Sequence, residues 1–257
     1  MNSMTTPIKI AAAQFPVSGD VSRNARYIRN QIAQAASAKA TVIQFPETAL
    51  SGYAPKHWHS LDGYPWQVLE SETERICELA SQHNMWVVLG SMKPIETHLP
   101  TSCLHVISNH GKIVATYHKQ RLHGREKQSF TPGNKSCVVV INGHKCGFLI
   151  CYDNCFPELY EDYRNVGVGL LFHSFFNAEN SRSTSIKELM MANLLVRAAD
   201  NEMWISASNS SATYSPLSAC IVRPDGSSVR SSRNVTSLAF DTYPVAELGW
   251  TYDNKRL

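Results

Sequence analysis

The chain lacks the long apolar runs and the strong charge bias that mark membrane and nucleic-acid-binding proteins. Hydrophobic residues make up 43% of its 257 residues, yet no apolar stretch approaches the roughly 20 residues that a membrane-spanning helix needs. The formal net charge is only +3, and no run of lysine and arginine marks a basic face. We therefore expect neither a membrane nor nucleic acid among its partners.

The cysteines lack the close pairing of a disulfide framework or a metal motif. There are seven, an odd number, and Cys146, Cys151 and Cys155 form no Cys-x-x-Cys pair. This pattern is typical of reduced thiols inside the cell and argues against a zinc ribbon or a thioredoxin-like motif. Residues 1–7 show neither the charged nor the apolar region of a signal peptide. The sequence thus predicts a cytoplasmic protein without a metal site.

Two glycine-based signatures of common enzyme classes are missing as well. The chain has no Gly-x-Ser-x-Gly segment, so a serine α/β-hydrolase is not expected. It has no Gly-x-Gly-x-x-Gly fingerprint of dinucleotide binding either. Because no linker, repeat or low-complexity tract interrupts the sequence, we expect a single domain over residues 1–257.

Short β-like runs recur along the chain, and helical patterns separate some of them. Asn142-Gly143 between two such runs is a strong signal for a type I′ hairpin turn. Strands outnumber helices, which indicates an α/β domain with two packed sheets covered by helices. Strands are predicted at 8–15, 41–45, 85–92, 103–108, 112–117, 136–141, 145–150, 169–175, 203–208, 218–222 and 235–241, and helices at 24–38, 66–83, 156–165 and 183–200.

Cys151 is the most informative residue. It ends an apolar strand, and Phe156-Pro157-Glu158 opens a helix shortly after it. A thiol at such a junction lies near unpaired backbone N–H groups and the positive end of the helix dipole. This environment predicts a lowered thiol pKa and hence a nucleophile, and the same N–H groups could hold an oxyanion.

Three charged residues near strand ends are candidate partners of this nucleophile. Glu47 directly follows a buried strand, Lys119 ends another, and Glu126 lies in the next loop. A carboxylate can take a proton from a thiol, and an ammonium can stabilise an oxyanion. Taken singly, a strand-end Glu or Lys is more often a surface residue, and a buried Cys is more often inert packing. The pattern alone leaves both interpretations open.

Several motifs in order resemble the nitrilase superfamily, the carbon–nitrogen hydrolases that use a Glu-Lys-Cys triad. The resemblance covers nearly the whole chain and implies a four-layer αββα sandwich, commonly assembled into dimers through one helical layer. The matching segments are Phe45-Pro46-Glu47 with Ser51-Gly52-Tyr53, Tyr117-His118-Lys119, Pro132-Gly133, Ile150-Cys151-Tyr152-Asp153 with Phe156-Pro157-Glu158, and Arg197-Ala198-Ala199-Asp200-Asn201.

The resemblance also implies a role for each candidate. Glu47 would be the general base, Lys119 the oxyanion-stabilising cation and Cys151 the nucleophile, while Glu126 would orient the substrate amide or Lys119. The backbone N–H of Tyr152 would help to hold the oxyanion. Such thioester chemistry needs neither a metal nor an organic cofactor.

The segment expected to line the acyl pocket departs from the family pattern, since Ser174 stands where many relatives have a proline. Candidate substrate-binding residues are Tyr53, Tyr152, His173, Ser174 and Phe175. A satisfied, partly buried histidine is about as common as a substrate contact, so His173 carries both interpretations. The aromatic residues could equally belong to the core.

The favoured function is hydrolysis of a small linear amide or an N-carbamoyl compound, with release of ammonia. An amide is favoured over a nitrile because a second glutamate suits a carbonyl that bears NH₂, which is a family-level analogy. The alternatives are a nitrilase or a thioester-dependent N-acyltransferase on the same triad, and a non-catalytic binding or regulatory module. The expected partners are the small-molecule substrate and further copies of the chain, as a homodimer or higher homo-oligomer.

Overall fold

A computed structural model describes residues 5–54, 56–58, 60–96, 98–177 and 184–244. Twelve strands among these residues form two six-stranded sheets. The strands are β1 (Ile8–Gln14), β2 (Val42–Gln44), β3 (Trp86–Ile95), β4 (His98–Ile107), β5 (Ile113–His118), β6 (Val138–Ile141), β7 (His144–Ile150), β8 (Leu170–Ser174), β9 (Trp204–Ser208), β10 (Cys220–Val222), β11 (Ser228–Arg230) and β12 (Ser237–Tyr243).

Four α-helices and two short 3₁₀ turns complete the described part of the chain. The helices are α1 (Val21–Ser37), α2 (Trp66–Gln82), α3 (Pro157–Asn165) and α4 (Thr184–Asp200). The 3₁₀ turns are Gly124–Gln128 and Cys151–Cys155.

The two sheets have related strand orders, β12-β1-β2-β3-β4-β5 and β11-β10-β9-β8-β7-β6. The neighbours β1, β2 and β3 run parallel in the first sheet, and β7, β8 and β9 run parallel in the second. Strand β5 is antiparallel to β4, which is antiparallel to β3, so β5 points the same way as β2 and β3. The carboxyl ends of β2 and β5 therefore lie at one edge of the first sheet.

Alternation along the strands builds two cores. In β1, Ala11 and Ala13 face the first two helices, where they pack with Ile28 and Ile32 of α1. The intervening residues of β1 face the other way and join a second core with Phe148, Phe172 and the residues of α3 and α4. Because side chains alternate across a strand, the first sheet packs against helices with one face and against the second sheet with the other. The observed layers are α, β, β and α, which confirms the predicted sandwich.

Local signals explain the element boundaries. Asp20 accepts a hydrogen bond of 2.9 Å from the Arg23 backbone N–H and so caps α1. Asn142 and Gly143 both have positive φ angles, 51° and 82°, as a type I′ turn requires. The sequence patterns missed β11 (Ser228–Arg230). This strand has three residues, most of them polar, and it lies at the edge of its sheet, next to β10.

Candidate active site

Four strands deliver the candidate residues to one edge of the sandwich. Glu47 lies three residues after the end of β2, and Lys119 directly follows β5, both in the first sheet. Cys151 directly follows β7, and Asn177 lies three residues after β8, both in the second sheet. The site is therefore assembled across the interface between the two sheets.

Lys119 is the centre of a buried charge cluster. Its Nζ lies 2.7 Å from Glu47 Oε1 and 2.6 Å from Glu126 Oε1, and all three side chains are at most 1% exposed. Glu126 Oε1 also accepts a hydrogen bond of 2.9 Å from the Tyr53 hydroxyl, and its Oε2 accepts one of 2.6 Å from the His123 backbone N–H. The loop after Lys119 is short, but its 3₁₀ turn folds Glu126 back towards the cluster.

Glu47 has the electrostatics of a group that exchanges protons near neutral pH. Burial raises the pKa of its carboxyl to about 7, against the lowering effect of the Lys119 ammonium and with a further upward contribution from Glu126. Its carboxylate also interacts with the Cys151 thiol. Within the described residues, Glu47 Oε2 has no hydrogen-bond partner among protein groups. One carboxylate oxygen is thus held by Lys119, while the other remains available beside the thiol.

Cys151 occupies a strained position, with a φ of +44°. Its Sγ lies 3.6 Å from Asn177 Oδ1, and the backbone N–H of Phe176 also interacts with the sulfur. Left-handed backbone in a residue other than glycine is uncommon and is held in place by surrounding contacts. The strain places the thiol between the base and the end of β8.

The thiol pKa shifts in the direction opposite to the sequence-based expectation. Burial and then the charge of Glu47 raise the pKa of Cys151 well above its usual value, and Lys119 only partly compensates. The predicted lowered pKa was wrong, because the surroundings of Cys151 favour the protonated thiol over the thiolate.

Two of the predicted substrate-binding residues, Tyr53 and Tyr152, lie beside the charge cluster and the nucleophile. The Tyr53 ring stacks on Phe176 with centroids 4.6 Å apart. The Tyr152 ring is partly exposed and packs edge-on against His123 at 4.9 Å. Tyr152, next to Cys151 in the chain, also lines a cavity of about 520 Å³, and Arg121 contributes a positive charge to the lining of that cavity.

The other three, His173, Ser174 and Phe175, have fully buried side chains that contact protein groups. His173 Nε2 lies 3.3 Å from the backbone oxygen of Cys151. Ser174 Oγ donates a hydrogen bond of 2.8 Å to the backbone oxygen of Phe45. The Phe175 ring stacks on His173 at 4.2 Å. These side chains contact the protein around Cys151 and Phe45, and their role as substrate contacts stays a prediction.

Sequence reasoning missed a polar network that joins the sheets beneath the site. Gln44 Nε2 donates to Ser174 Oγ at 3.1 Å, and Gln44 Oε1 accepts from Ser206 Oγ at 2.6 Å. Ser208 Oγ donates to the Gln44 backbone oxygen at 2.9 Å. A glutamine inside a three-residue buried strand was a signal for such a network, since buried amides are nearly always hydrogen-bonded.

Asn177 and Asn209 form a second missed element. The Asn177 backbone N–H donates to Asn209 Oδ1 at 3.0 Å, and Asn209 Nδ2 donates to the backbone oxygen of Leu217 at 2.7 Å. These bonds fix the backbone that carries Asn177 beside the thiol. The family resemblance implies an asparagine at Asn209, after the Arg197–Asn201 segment, whereas Asn177 has no such signal.

The structure shows no metal cluster and no membrane-spanning helix in the part of the chain that it describes. No group of three or more His, Cys, Asp or Glu side chains there is placed to hold a metal ion. None of its described helices is both long and apolar enough to cross a bilayer. All seven cysteines are free thiols.

Comparison with known proteins assigns the sandwich to a family. The model of the carbon-nitrogen hydrolase family matches residues 9–239, which is most of the chain. The chain therefore belongs to the carbon–nitrogen hydrolase family. It is an amidase-like member of the nitrilase superfamily, as the sequence motifs predicted.

The named relatives of this chain have low sequence identity to it. Nitrilase homolog 2 of Dictyostelium discoideum is 26% identical over 224 residues, which cover 80% of this chain and 65% of that protein. An omega-amidase of Homo sapiens is 23% identical over 214 residues, covering 79% of this chain and 75% of that protein. The match thus spans less than two thirds of the length of the Dictyostelium relative.

A solved structure shares the fold. It is a mutant amidase from Nesterenkonia sp. AN1 with the acetamide moiety of fluoroacetamide added covalently at its active-site cysteine. The TM-score is 0.81 at 22% identity, and the superposition covers 92% of this chain and 90% of that one. At this identity the likeness establishes the common sandwich.

Proposed function

We propose that the protein is an amidase that hydrolyses a small linear amide or an N-carbamoyl compound and releases ammonia. The observation that carries the proposal is the buried cluster of Lys119 between Glu47 and Glu126, with the Cys151 thiol beside Glu47. Burying one ammonium between two carboxylates is costly, and such groups concentrate at functional sites. The family and the amidases among its relatives support the same reaction class.

The first half of the reaction forms a thioester. Glu47 takes the thiol proton as the Cys151 sulfur attacks the substrate carbonyl carbon, whose oxygen becomes an oxyanion. The Lys119 ammonium and the backbone N–H of Tyr152 stabilise that charge. When the tetrahedral intermediate collapses, the C–N bond breaks, and protonated Glu47 gives its proton to the leaving nitrogen as ammonia.

The second half regenerates the thiol. Glu47, ionised again, takes a proton from water, and the resulting hydroxide attacks the thioester carbonyl. The C–S bond then breaks, the acid leaves, and Cys151 recovers its proton from Glu47. A single carboxyl acts as base and acid twice per turnover, which its pKa of about 7 suits at neutral pH.

Glu126 and Tyr53 favour an amide over a nitrile as the substrate. The Glu126 carboxylate, held by Tyr53 and Lys119, can accept an N–H bond from an amide nitrogen. A nitrile nitrogen has no N–H to donate, so this carboxylate would add nothing to its binding. Transfer of the same acyl group to an amine remains the second candidate, since it uses the same thioester.

We extend the proposal to the oligomeric state, the domain organisation and the cellular location of the enzyme. Helix α4 exposes Leu189 and Val196, which are 62% and 50% exposed and lie one turn on either side of Ala192 on the same face. This stripe supports a homodimer formed through α4, and light scattering of Leu189→Glu beside wild type tests it. A monomeric wild type would contradict the dimer. A single domain over the whole chain and a cytoplasmic location complete the proposal.

Ammonia release from the purified protein tests the reaction. The panel contains ω-amides, N-carbamoyl amino acids, aliphatic amides and nitriles, with Cys151→Ala as the control. Cys151-dependent release from an amide or carbamoyl group supports the proposal, and release from nitriles alone rejects it. If all are silent, hydroxylamine is added with each amide, since hydroxamate formation identifies an acyltransferase. If no hydroxamate forms either, and Cys151 does not react with a thiol probe, the protein is a non-catalytic module.

A further inference from the structure

The end of β8 and the loop after it, residues 173–177, contact both the nucleophile and the base. His173 Nε2 lies 3.3 Å from the Cys151 backbone oxygen. The Phe175 backbone oxygen accepts a hydrogen bond of 3.2 Å from the Glu47 N–H. Asn177 Oδ1 accepts from the Cys151 thiol at 3.6 Å. One short segment therefore sets the backbone of Glu47 and the backbone and sulfur of Cys151.

The contacts of His173 define its tautomer. A backbone oxygen only accepts hydrogen bonds, so Nε2 must carry a proton to bond Cys151. Burial lowers the pKa of His173 to about 3, so the ring is neutral and its Nδ1 is an acceptor. The Tyr160 hydroxyl lies 2.8 Å from Nδ1 and 2.9 Å from Asn154 Oδ1. Because it has one proton and Nδ1 must accept, that proton goes to Nδ1, and the Asn154 amide turns its NH₂ group towards the Tyr160 oxygen. A chain of two hydrogen bonds runs from Tyr160 through His173 to the nucleophile.

The bond to Cys151 acts on a strained residue. The φ of +44° at Cys151 is a backbone conformation that residues other than glycine adopt only where surrounding contacts hold it. Holding its carbonyl oxygen fixes the peptide that follows, and with it the direction in which the side chain leaves the backbone. The stacking of His173 on Phe175 at 4.2 Å links the same ring to the residue that anchors Glu47.

We propose that His173 is a positioning residue. Its Nε2–H holds the Cys151 backbone so that the thiol faces Glu47, and Tyr160 keeps the imidazole in the tautomer that can do so. His173 acts through Cys151 and touches no substrate. The inference rests on the proposed function only for its effect on turnover, since the reactivity of the thiol can be measured without any substrate.

Alkylation of Cys151 by chloroacetamide tests the positioning directly. Peptide mass spectrometry reports this one cysteine among the seven. His173→Phe keeps a stacked ring but loses the donor, and we expect its alkylation to slow about tenfold, the effect of one lost hydrogen bond. His173→Gln keeps an N–H near the same place and should recover part of the rate. On an amide substrate, kcat should fall while KM changes little.

A matched pair of tyrosine variants provides the control. Tyr160 and Tyr163 are both on α3 and fully buried. The Tyr163 hydroxyl donates to the Phe148 backbone oxygen at 2.7 Å and does not contact the nucleophile. Tyr160→Phe should slow alkylation about threefold through the His173 tautomer. Asn154→Leu removes only the other partner of the Tyr160 hydroxyl and should keep the wild-type rate. Tyr163→Phe should keep the wild-type rate per folded molecule, with folding checked by thermal unfolding.

Two outcomes overturn the inference. Wild-type alkylation in His173→Phe, or equal rates in Tyr160→Phe and Tyr163→Phe, shows that the histidine only fills space. A raised KM with an unchanged kcat shows that it binds substrate instead. If His173→Phe does not fold, the tyrosine pair decides. If the wild type releases no ammonia from any substrate, the proposed function fails while the alkylation rates still judge His173.

Discussion

The Lys119 ammonium lies 2.7 Å from Glu47 Oε1, and both side chains are almost completely buried. Lys119 also pairs with Glu126, so one positive charge serves two carboxylates. The cluster is neutral when Glu47 is protonated and carries one negative charge when Glu47 is ionised. Because the buried cluster favours neutrality, the pKa of Glu47 rises to about 7. A carboxyl with this pKa suits the proton exchange that the proposed reaction requires of Glu47 at neutral pH.

The rate of Cys151 alkylation should follow the ionisation of Glu47. As pH rises through about 7, Glu47 becomes able to accept the thiol proton, so the rate should rise with a midpoint there. In Glu47→Gln only the spontaneous thiolate reacts. Removing the Glu47 charge lowers the thiol pKa in part, but burial, the larger cause, still raises it, so the rise should move to more alkaline pH. Chloroacetamide labelling across pH measures both profiles. Superimposable profiles would exclude Glu47 as the base.

Glu47 should also make folding weaker as pH rises. Its pKa is 4.5 in the unfolded reference and about 7 when folded. Between these values the folded state holds a proton that the unfolded state has released, so the free energy of unfolding falls with increasing pH. Urea denaturation at several pH values should show this decline in wild type and a flatter dependence in Glu47→Gln. Equal slopes would mean that the folded pKa is not raised.

Cys151→Ala should abolish turnover while the protein still folds. Removing a nucleophile leaves only the contribution of binding and the oxyanion site, a loss of several orders of magnitude. Cys155→Ala is the matched control, since Cys155 lies four residues on, is exposed and does not contact Glu47. Ammonia release and circular dichroism check activity and folding. The loss of a nucleophile lowers the rate by more than about a hundredfold. Turnover in Cys151→Ala above roughly a hundredth of the wild-type rate would therefore reject the assignment.

Lys119→Met should damage both stability and activity. Without the ammonium, two buried carboxylates lose their shared cation, which costs about 3–5 kcal/mol in the free energy of unfolding. The triple variant Lys119→Met, Glu47→Gln, Glu126→Gln should regain much of the stability but no turnover. Denaturant titration and ammonia release separate the two effects. A Lys119→Met protein as stable as wild type would mean that the carboxylates are not buried as a charged pair.

Gln44→Leu should destabilise the interface between the sheets. It removes the acceptor of the buried Ser206 hydroxyl, and an unsatisfied buried donor costs about 1–3 kcal/mol. Adding Ser206→Ala removes that orphaned hydroxyl and should recover part of the loss. The four proteins of this double-mutant cycle are compared by urea denaturation. Additive losses would show that the two side chains are not coupled.

The element pattern and much of the site were predictable from sequence because they depend on local signals. Alternating apolar residues predicted the strands, and Asn142-Gly143 predicted the turn between β6 and β7. Cys151 stood out because a thiol between a strand and a helix start is a local feature. The roles of Glu47, Lys119 and Glu126 came from the family resemblance, since no local pattern distinguishes them from surface residues.

The contacts of a buried strand end show where local reasoning stops. His173, Ser174 and Phe175 follow the pattern of a buried strand, but the sequence does not say which group each one meets. Ser174 meets Gln44, which is 130 positions away along the chain, in the other sheet. Only the packing of the two sheets decides which side of this strand end faces the substrate cavity and which side supports Cys151.

The sequence by itself determined the secondary structure, the family and the chemical types of the site residues. The tertiary structure decided their ionisation and their contacts. Glu47 and Lys119 are 72 positions apart, and their pKa values depend on how many groups exclude water from the pair. Desolvation and Coulomb interactions act through distances in space. For that reason the packed sheets, and not the residues around Cys151 in the chain, raise the pKa of its thiol.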